Sequence, residues 1–249
     1  MVMLMKPKLP MRLLSIPIFL MLTLEPLPFI AFAEQENPCL ICHVNFKEPS
    51  KNIHPALEIG CDACHFAEQG KEHPKDRNSI KLRYDVPKLC YKCHKEFKLR
   101  GEYIHAPVSE GMCTACHNVH QSDFKSLLII DPPELCYKCH YTAKFIKKYS
   151  HKVALNSCGR RCHDPHASNS PYRLSEDINT TCIGCHSAKE SGSHIVSLSN
   201  GRIHPIKGLP DPSKPKMEMN CISCHNPHSS NFAKLFSSGK KCKKCHKFY

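Results

Sequence analysis

All 18 cysteines of this 249-residue chain fall into nine pairs, and a histidine follows the second member of every pair. Eight pairs read C-x-x-C-H: Cys39 and Cys42 before His43, Cys61 and Cys64 before His65, Cys90 and Cys93 before His94, Cys113 and Cys116 before His117, Cys136 and Cys139 before His140, Cys182 and Cys185 before His186, Cys221 and Cys224 before His225, and Cys242 and Cys245 before His246. The remaining pair, Cys158 and Cys162 before His163, has one extra residue between its thiols. On one helical turn, residues i and i+3 share a face and i+4 lies beside them, so five residues can offer two thiols and one imidazole to a single group. Attaching a haem through two thioether bonds and binding its iron from one side requires that set. Disulfides or zinc ribbons would also use paired cysteines in an exported chain, but neither explains a histidine after nine pairs of nine. The extra residue at Cys158–Cys162 loosens the turn without taking the thiols out of reach, so nine covalently bound haems c are expected.

Histidine also numbers 18. Outside the motifs stand His54, His73, His105, His120, His151, His166, His194, His204 and His228. One spare imidazole per motif is the count required for six-coordinate irons with two histidines each. Placement follows an internal repeat. Segments 39–89, 90–135, 136–181 and 182–241 each run from a motif to a lone histidine, a second motif and a further histidine, and 242–249 is a half repeat with the ninth motif. The four repeats supply eight spare histidines, and the insertion between His186 and Cys221 adds His194.

Three histidine pairs sit only three residues apart: His117 and His120, His163 and His166, His225 and His228. Trans imidazoles with metal–nitrogen bonds of roughly 2 Å put their Cα atoms on the order of 12 Å apart. Three residues span at most roughly 10 to 11 Å. The second histidine of each pair must therefore serve a neighbouring haem, which stitches successive haems together.

These features resemble the multihaem c-type cytochromes of the doubled CXXCH motif class, found in electron-transfer chains of anaerobic and metal-respiring microbes. The resemblance is carried by the paired motifs and by the C-x-x-C-H-N-P-H element at Cys221–His228, with a looser version at Cys158–His166, and covers residues 39–246. It implies a mostly irregular chain with short α-helices at the attachment sites, little or no β-sheet, and a row of closely packed haems within. Electron transfer between other redox proteins follows, from an upstream cytochrome or quinol-oxidising complex to a downstream outer-membrane or extracellular acceptor.

The N-terminus carries Lys6, Lys8 and Arg12, an apolar run from Leu13 to Ile30 broken by Pro17, Pro26 and Pro28, and Ala31-Phe32-Ala33. That order predicts a cleaved signal peptide over 1–33, a mature domain over 34–249, and a periplasmic or extracellular location. No later stretch approaches the roughly 18 apolar residues of a membrane span. At 41% hydrophobic and with no Trp, the chain falls below the roughly 45 to 50% of ordinary domains, so something besides apolar side chains must fill the interior.

The formal charge of +13 drops to +11 once Lys6, Lys8, Arg12 and Glu25 leave with the signal segment. Two propionates on each of nine haems bring the total to about −7 with ferrous irons and about +2 with ferric irons, so the basic residues serve largely as counter-ions and nucleic acid is not a partner. A catalytic haem needs an open iron, and the histidine count leaves none vacant, so an electron carrier is expected rather than an enzyme of the nitrite or hydroxylamine reductase type. Met112 adjoins Cys113 and is badly placed as a ligand to that haem, while Met217 and Met219 lie in the long insertion and are expected to serve packing or the linker. A rival organisation is self-association into an extracellular haem filament. Lys240, Lys241, Lys243, Lys244 and Lys247 surround the last motif and are expected either to neutralise its propionates or to steer an acidic partner.

Overall fold

The computed structural model describes residues 37–156, 158–159, 161–190, 204–239, 243 and 246. The expected signal segment 1–33, His194, Cys242, Cys245, and the terminal lysines other than Lys243 lie outside the described residues.

Among the described residues, seven attachment motifs are each built on a short helical turn. Five are 3-10 turns, at Pro38–Ile41, Cys61–Ala63, Cys90–Lys92, Cys113–Ala115 and Cys221–Ser223. The α-helices of the described residues are α1 (Ala56–Ile59), α2 (Ala106–Ser109), α3 (Glu134–Tyr137), α4 (Lys152–Asn156) and α5 (Ile178–Ile183). Of these, α3 and α5 carry Cys136 and Cys182. A bond from the histidine N–H to the first cysteine's carbonyl closes the turn, at 2.9 Å for His43 and His94, 3.0 Å for His117 and 3.1 Å for His225. The helices expected at the motifs are thus mostly single 3-10 turns. One turn already carries both thiols and the histidine on a five-residue segment, and nothing is gained by propagating it. Polar caps fix where two of them begin: the Asp177 carboxylate accepts from the N–H groups of Asn179 and Thr180 at 3.0 and 3.1 Å, and Asn220 accepts from Ile222 N–H at 3.1 Å while its own N–H donates to Ser223 Oγ.

Strands are more numerous than the expectation of little or no sheet. They are β1 (Asn52–Ile53), β2 (His65–Ala67), β3 (Ile80–Leu82), β4 (Tyr103–Ile104), β5 (Gln121–Ser122), β6 (Tyr149–Ser150), β7 (Ala167–Ser168), β8 (Pro210–Asp211), β9 (Lys214–Glu218) and β10 (Ser229–Ser230), paired as five antiparallel two-stranded sheets. β2–β3 and β8–β9 are local hairpins in the first and fourth repeats. The other three, β1–β5, β4–β7 and β6–β10, each join a repeat to its successor.

The three junctions are one device used three times. Two residues before the lone histidine of one repeat pair with two residues after the trailing histidine of the next, Asn52 opposite Ser122, Tyr103 opposite Ser168 and Tyr149 opposite Ser230. The ladder continues into the histidines: His54 N–H donates to the His120 carbonyl at 2.8 Å, His105 to His166 at 2.8 Å, and His151 to His228 at 2.9 Å. The backbones approach so closely at β4–β7 that a Cβ at Gly101 would overlap the Ser168 carbonyl. Elements with extensive mutual contact lie within one repeat or in successive repeats, as in quasi-one-dimensional repeat proteins.

Among the described residues a protein core is nearly absent. Among the described residues the buried hydrophobics are Ala167 and Met219. Large apolar side chains in or beside the motifs are exposed, among them Ile41, Val44, Phe66, Met112 and Tyr141, the last at 77%. Apolar surface of this extent beside every few motifs calls for a cover that the polypeptide does not supply.

Candidate haem sites

The junctions bring motif histidines against spare histidines. His43 faces His73 with ring centroids 6.0 Å apart, His54 faces His94 at 6.0 Å, His65 faces His120 at 6.1 Å, and His105 faces His140 at 6.1 Å. His117 faces His166 at 5.9 Å, His151 faces His186 at 6.1 Å, His163 faces His228 at 6.0 Å, and His204 faces His246 at 6.2 Å. Every one of these eight pairs couples a motif histidine with a spare one. Imidazoles in van der Waals contact would lie closer. A single metal atom between two rings, with metal–nitrogen bonds of about 2 Å and about 1.1 Å from nitrogen to ring centre, sets the centroids about 6.2 Å apart.

The pairs obey a rule. The lone histidine of each repeat reaches forward to the first motif of the next: His54 to His94, His105 to His140, His151 to His186 and His204 to His246. The trailing histidine reaches backward to the second motif of the previous repeat: His120 to His65, His166 to His117 and His228 to His163. At the first motif it is His73, carried on the connection between β2 and β3, that faces His43. His194, the remaining spare histidine, lies outside the described residues. The irregular site keeps the rule, since His163 faces His228 at 16° between ring planes, as His117 faces His166 at 18°.

A local scaffold, repeated at His117, His163 and His225, aims these rings. The imidazole Nδ1 bonds to a carbonyl nine residues on, of Ser126, Tyr172 and Lys234, at 2.9 Å each. The next residue, Asn118, Asp164 or Asn226, donates its N–H to Leu127, Arg173 or Leu235 at 2.7 to 2.8 Å. Its side-chain oxygen accepts the N–H of the trailing histidine: His120 at 3.1 Å, His166 at 2.7 Å and His228 at 3.0 Å. Aiming both carbonyls inward puts the carbonyl residues at positive φ, 58° and 56° at Ser126 and Leu127, 61° and 56° at Tyr172 and Arg173, and 58° and 59° at Lys234 and Leu235, a left-handed conformation costly for residues with a Cβ. The spare histidines are held in the same way, His105 Nδ1 on the Pro165 carbonyl at 2.9 Å and His151 Nδ1 on that of Pro227 at 3.0 Å. Engaging Nδ1 leaves Nε2 for a metal, the usual orientation of a ligating histidine.

Sequence reasoning missed the aromatic backing of three trailing histidines. Phe46 lies 5.0 Å from His120, Phe97 4.3 Å from His166, and Phe145 5.0 Å from His228. Each phenylalanine follows the first motif of its repeat within a few residues, so the signal was present as a third periodic element. Burial pushes the pKa values of His105, His120, His166 and His228 down, which keeps these imidazoles in the neutral form that binds metal.

The thiols show which motifs adjoin. Burial raises the Cys39 thiol and neighbouring Cys61 raises it further; Cys90 beside Cys113 behaves alike, and Cys136 beside Cys158 is pushed up to about 11. Cys182 and Cys221 hydrogen-bond through their thiols, which holds Cys221 down at about 7 and pushes Cys182 up. First cysteines therefore meet within each repeat. Between repeats, Cys90 feels Cys64, and the thiols of Cys116 and Cys162, raised mainly by burial, are raised further by Cys139 and Cys185. The first eight motifs thus adjoin in space in their sequence order.

Among the described residues no three or more His, Cys, Asp or Glu converge on one point. The imidazoles meet in twos, as they must where a macrocycle supplies the other four nitrogens. Cysteine pairs, facing imidazoles and uncovered apolar side chains together fit haem c, and define a multihaem c-type cytochrome that transfers electrons. Residues 54–99, 105–145, 151–191 and 214–248 match the doubled CXXCH motif family, so the chain belongs to that family. The matched segments begin near the lone histidine and hold the second motif of one repeat with the first of the next, which takes in every motif except the one at Cys39–His43. The period is that of the sequence repeat, cut half a repeat later. No curated relative matches the chain.

Proposed function

We propose that this cytochrome holds nine haems c, each clamped between two imidazoles of its own chain, and relays single electrons along them between redox partners outside the cytoplasm. The observation that carries this reading is the set of eight facing histidine pairs, each joining a motif to a spare imidazole across a gap of one metal atom. When bound, the haems supply one-electron chemistry at iron. The chain attaches them through its cysteines, fixes the axial imidazoles through Nδ1, and sets neighbouring motifs side by side. Two imidazoles per iron favour lower potentials than histidine–methionine ligation, and an iron with both axial positions filled has no place for a substrate, which supports a carrier over a reductase. Export is supported by the A-x-A element at Ala31–Ala33. Among the described residues no helix is long and apolar enough to cross a membrane.

The end motifs favour a finite relay over a filament assembled by exchanging ligands. His43 finds His73, and His246 finds His204, within the same chain. Neither needs an imidazole from a second copy.

Intact mass and a pyridine haemochrome assay are expected to give nine haems, with all 18 cysteines resistant to alkylation. Eight haems with free thiols at Cys158 and Cys162 would remove the irregular site from the relay. Carbon monoxide or cyanide should leave the reduced spectrum unchanged; a shifted Soret band would reveal an open iron and restore the reductase reading.

Ring planes differ at the last site. The other seven pairs cross at 11° to 33°, whereas His204 and His246 cross at 79°. Near-parallel imidazoles give low-spin ferric haem a rhombic paramagnetic resonance spectrum, and crossed imidazoles give a single feature at large g. The oxidised protein is expected to show one large-g component beside the rhombic envelope, lost in His204→Ala. A purely rhombic spectrum would contradict the crossed placement.

A further inference from the structure

Among the described residues one buried side-chain polar atom has no hydrogen-bond partner, the Nε of Arg173. A buried donor left unpaired is costly, and more so when it carries charge. Arg173 stands at a position used three times. In the scaffold that aims the histidines of the second motifs, the residue whose carbonyl accepts the N–H of Asn118, Asp164 or Asn226 is Leu127, Arg173 and Leu235 in turn. Each is half-buried and each has positive φ. Leucine serves that backbone in two repeats, so the scaffold does not need the arginine side chain. The guanidinium must answer to something else.

The three turns that end in these residues, Lys125–Leu127, Pro171–Arg173 and Ala233–Leu235, each pack on the strand that precedes a lone histidine: on β1 before His54, on β4 before His105 and on β6 before His151. Arg173 is therefore brought to His105. Burial first and the Arg173 charge second hold that imidazole below its ordinary range. Burial also works against the charged guanidinium, and the Asp164 carboxylate offsets this only in part. One oxygen of that carboxylate is already taken by the N–H groups of His166 and Ala167, at 2.7 and 3.1 Å. The group held between His105 and His140 brings two carboxylates of its own, and a guanidinium matches a carboxylate with two parallel N–H bonds.

We propose that Arg173 binds a propionate of the haem clamped by His105 and His140, whose motif is the fifth of nine, and raises its reduction potential above the value that leucine would give. The inference rests on the nine-haem relay and its histidine pairing. A fixed cation beside the haem favours ferrous iron, which carries one positive charge fewer, and pairing the propionate neutralises an anion that favours ferric iron. The haems clamped by His54 and His94 and by His151 and His186 have leucine at this position and lack that pull, so the fifth haem is set apart from its counterparts.

Potentiometric titration of the haem-loaded protein, followed by absorbance, tests this. Arg173→Leu is expected to move a single haem's share of the absorbance change to lower potential, by about ten-fold in its reduction equilibrium or about 59 mV for one electron, with the haem count unchanged. Arg173→Lys should recover most of that loss, because an ammonium supplies the charge without the fork. Leu127→Arg should move a single haem's share upward. The double variant Asp164→Asn with Arg173→Leu keeps the parent's net charge and carries the residues that the second and fourth repeats already use, so its scaffold should fold. It is expected to keep the downward shift. A double variant that titrates like the parent would mean that Arg173 only balances Asp164, and would overturn the proposal. An unchanged titration in Arg173→Leu would overturn it too. His105→Ala tells the two failures apart, since it should open one iron to carbon monoxide. If none opens, the histidine pairing has failed and the proposal falls with it; if one opens while Arg173→Leu titrates like the parent, the role of Arg173 alone is wrong.

Discussion

His166→Ala is expected to open the iron attached at Cys113 and Cys116, rather than the iron attached at Cys158 and Cys162, four residues upstream of the substitution. His166 faces His117 at 5.9 Å, and it reaches that ring because its own N–H is held by Asp164 at 2.7 Å and Phe97 backs it at 4.3 Å. The backbone ladder from His105 to the His166 carbonyl survives the substitution, so His105 should keep facing His140. One haem should become high-spin and bind carbon monoxide, with the corresponding fraction of the Soret band shifting and the others unchanged. Two double variants decide the pairing without any assignment of individual haems. His117→Ala with His166→Ala removes both imidazoles from one iron and should still alter a single haem. His163→Ala with His166→Ala removes one imidazole from each of two irons and should alter two. If the counts come out reversed, the backward reach of the trailing histidines is wrong, and with it the rule relating the repeats.

The chemistry of the site was legible in the sequence; its wiring was not. Nine cysteine pairs, nine motif histidines and nine spare ones can be counted, and the reach of three residues already forbids His120, His166 and His228 from binding the haem beside them. Which haem each serves depends on the junctions between repeats. Those pair two residues with two residues about 60 to 80 positions away, as Asn52 with Ser122, a signal too short for periodicity to register. The place of His73 in the pairing was not legible either. His73, on the β2–β3 connection, faces the first motif, whereas the later first motifs are faced by the lone histidine of the repeat before them. The Asn or Asp after the second motif of the last three repeats looked like part of a family signature. Its role is mechanical: Asn118, Asp164 and Asn226 each hold a trailing histidine by its N–H. Positive φ at Ser126, Tyr172 and Lys234 could not have been foreseen from residues with so little left-handed preference. It follows from the need to place one carbonyl on each proximal imidazole. The half-repeat offset of the family matches has the same origin, since the forward and backward ligations make either cut of the chain equivalent.

Without haem attachment the chain is not expected to fold. Burying a side chain the size of Met219 contributes about 1.5 to 3 kcal/mol, and Ala167 less. Among the described residues no other hydrophobic side chain is buried. The three junction ladders add a few hydrogen bonds worth about 1 kcal/mol each, while fixing the backbone costs about 1 to 2 kcal/mol per residue. The shortfall must be met by the contacts of Ile41, Val44, Phe66, Met112 and Tyr141 with porphyrin and by the iron–imidazole bonds, which close loops such as the one from His117 to His166. Protein produced without thioether attachment should therefore show a disordered far-ultraviolet spectrum, no cooperative transition in urea, and cleavage by trace protease that the haem-loaded protein resists. Removing a single attachment, Cys113→Ala with Cys116→Ala, should have an effect that spreads. His117 of the second repeat and His166 of the third face each other there, so on the proposed pairing the β4–β7 junction would lose the group that closes it, and His105 with its neighbour His140 should loosen too. The variant is expected to melt well below the parent and to expose protease sites between residues 100 and 170. A variant missing one haem but melting with the parent would mean that the repeats hold each other without the haems, and that the polypeptide contains a stabilising core not visible in its burial.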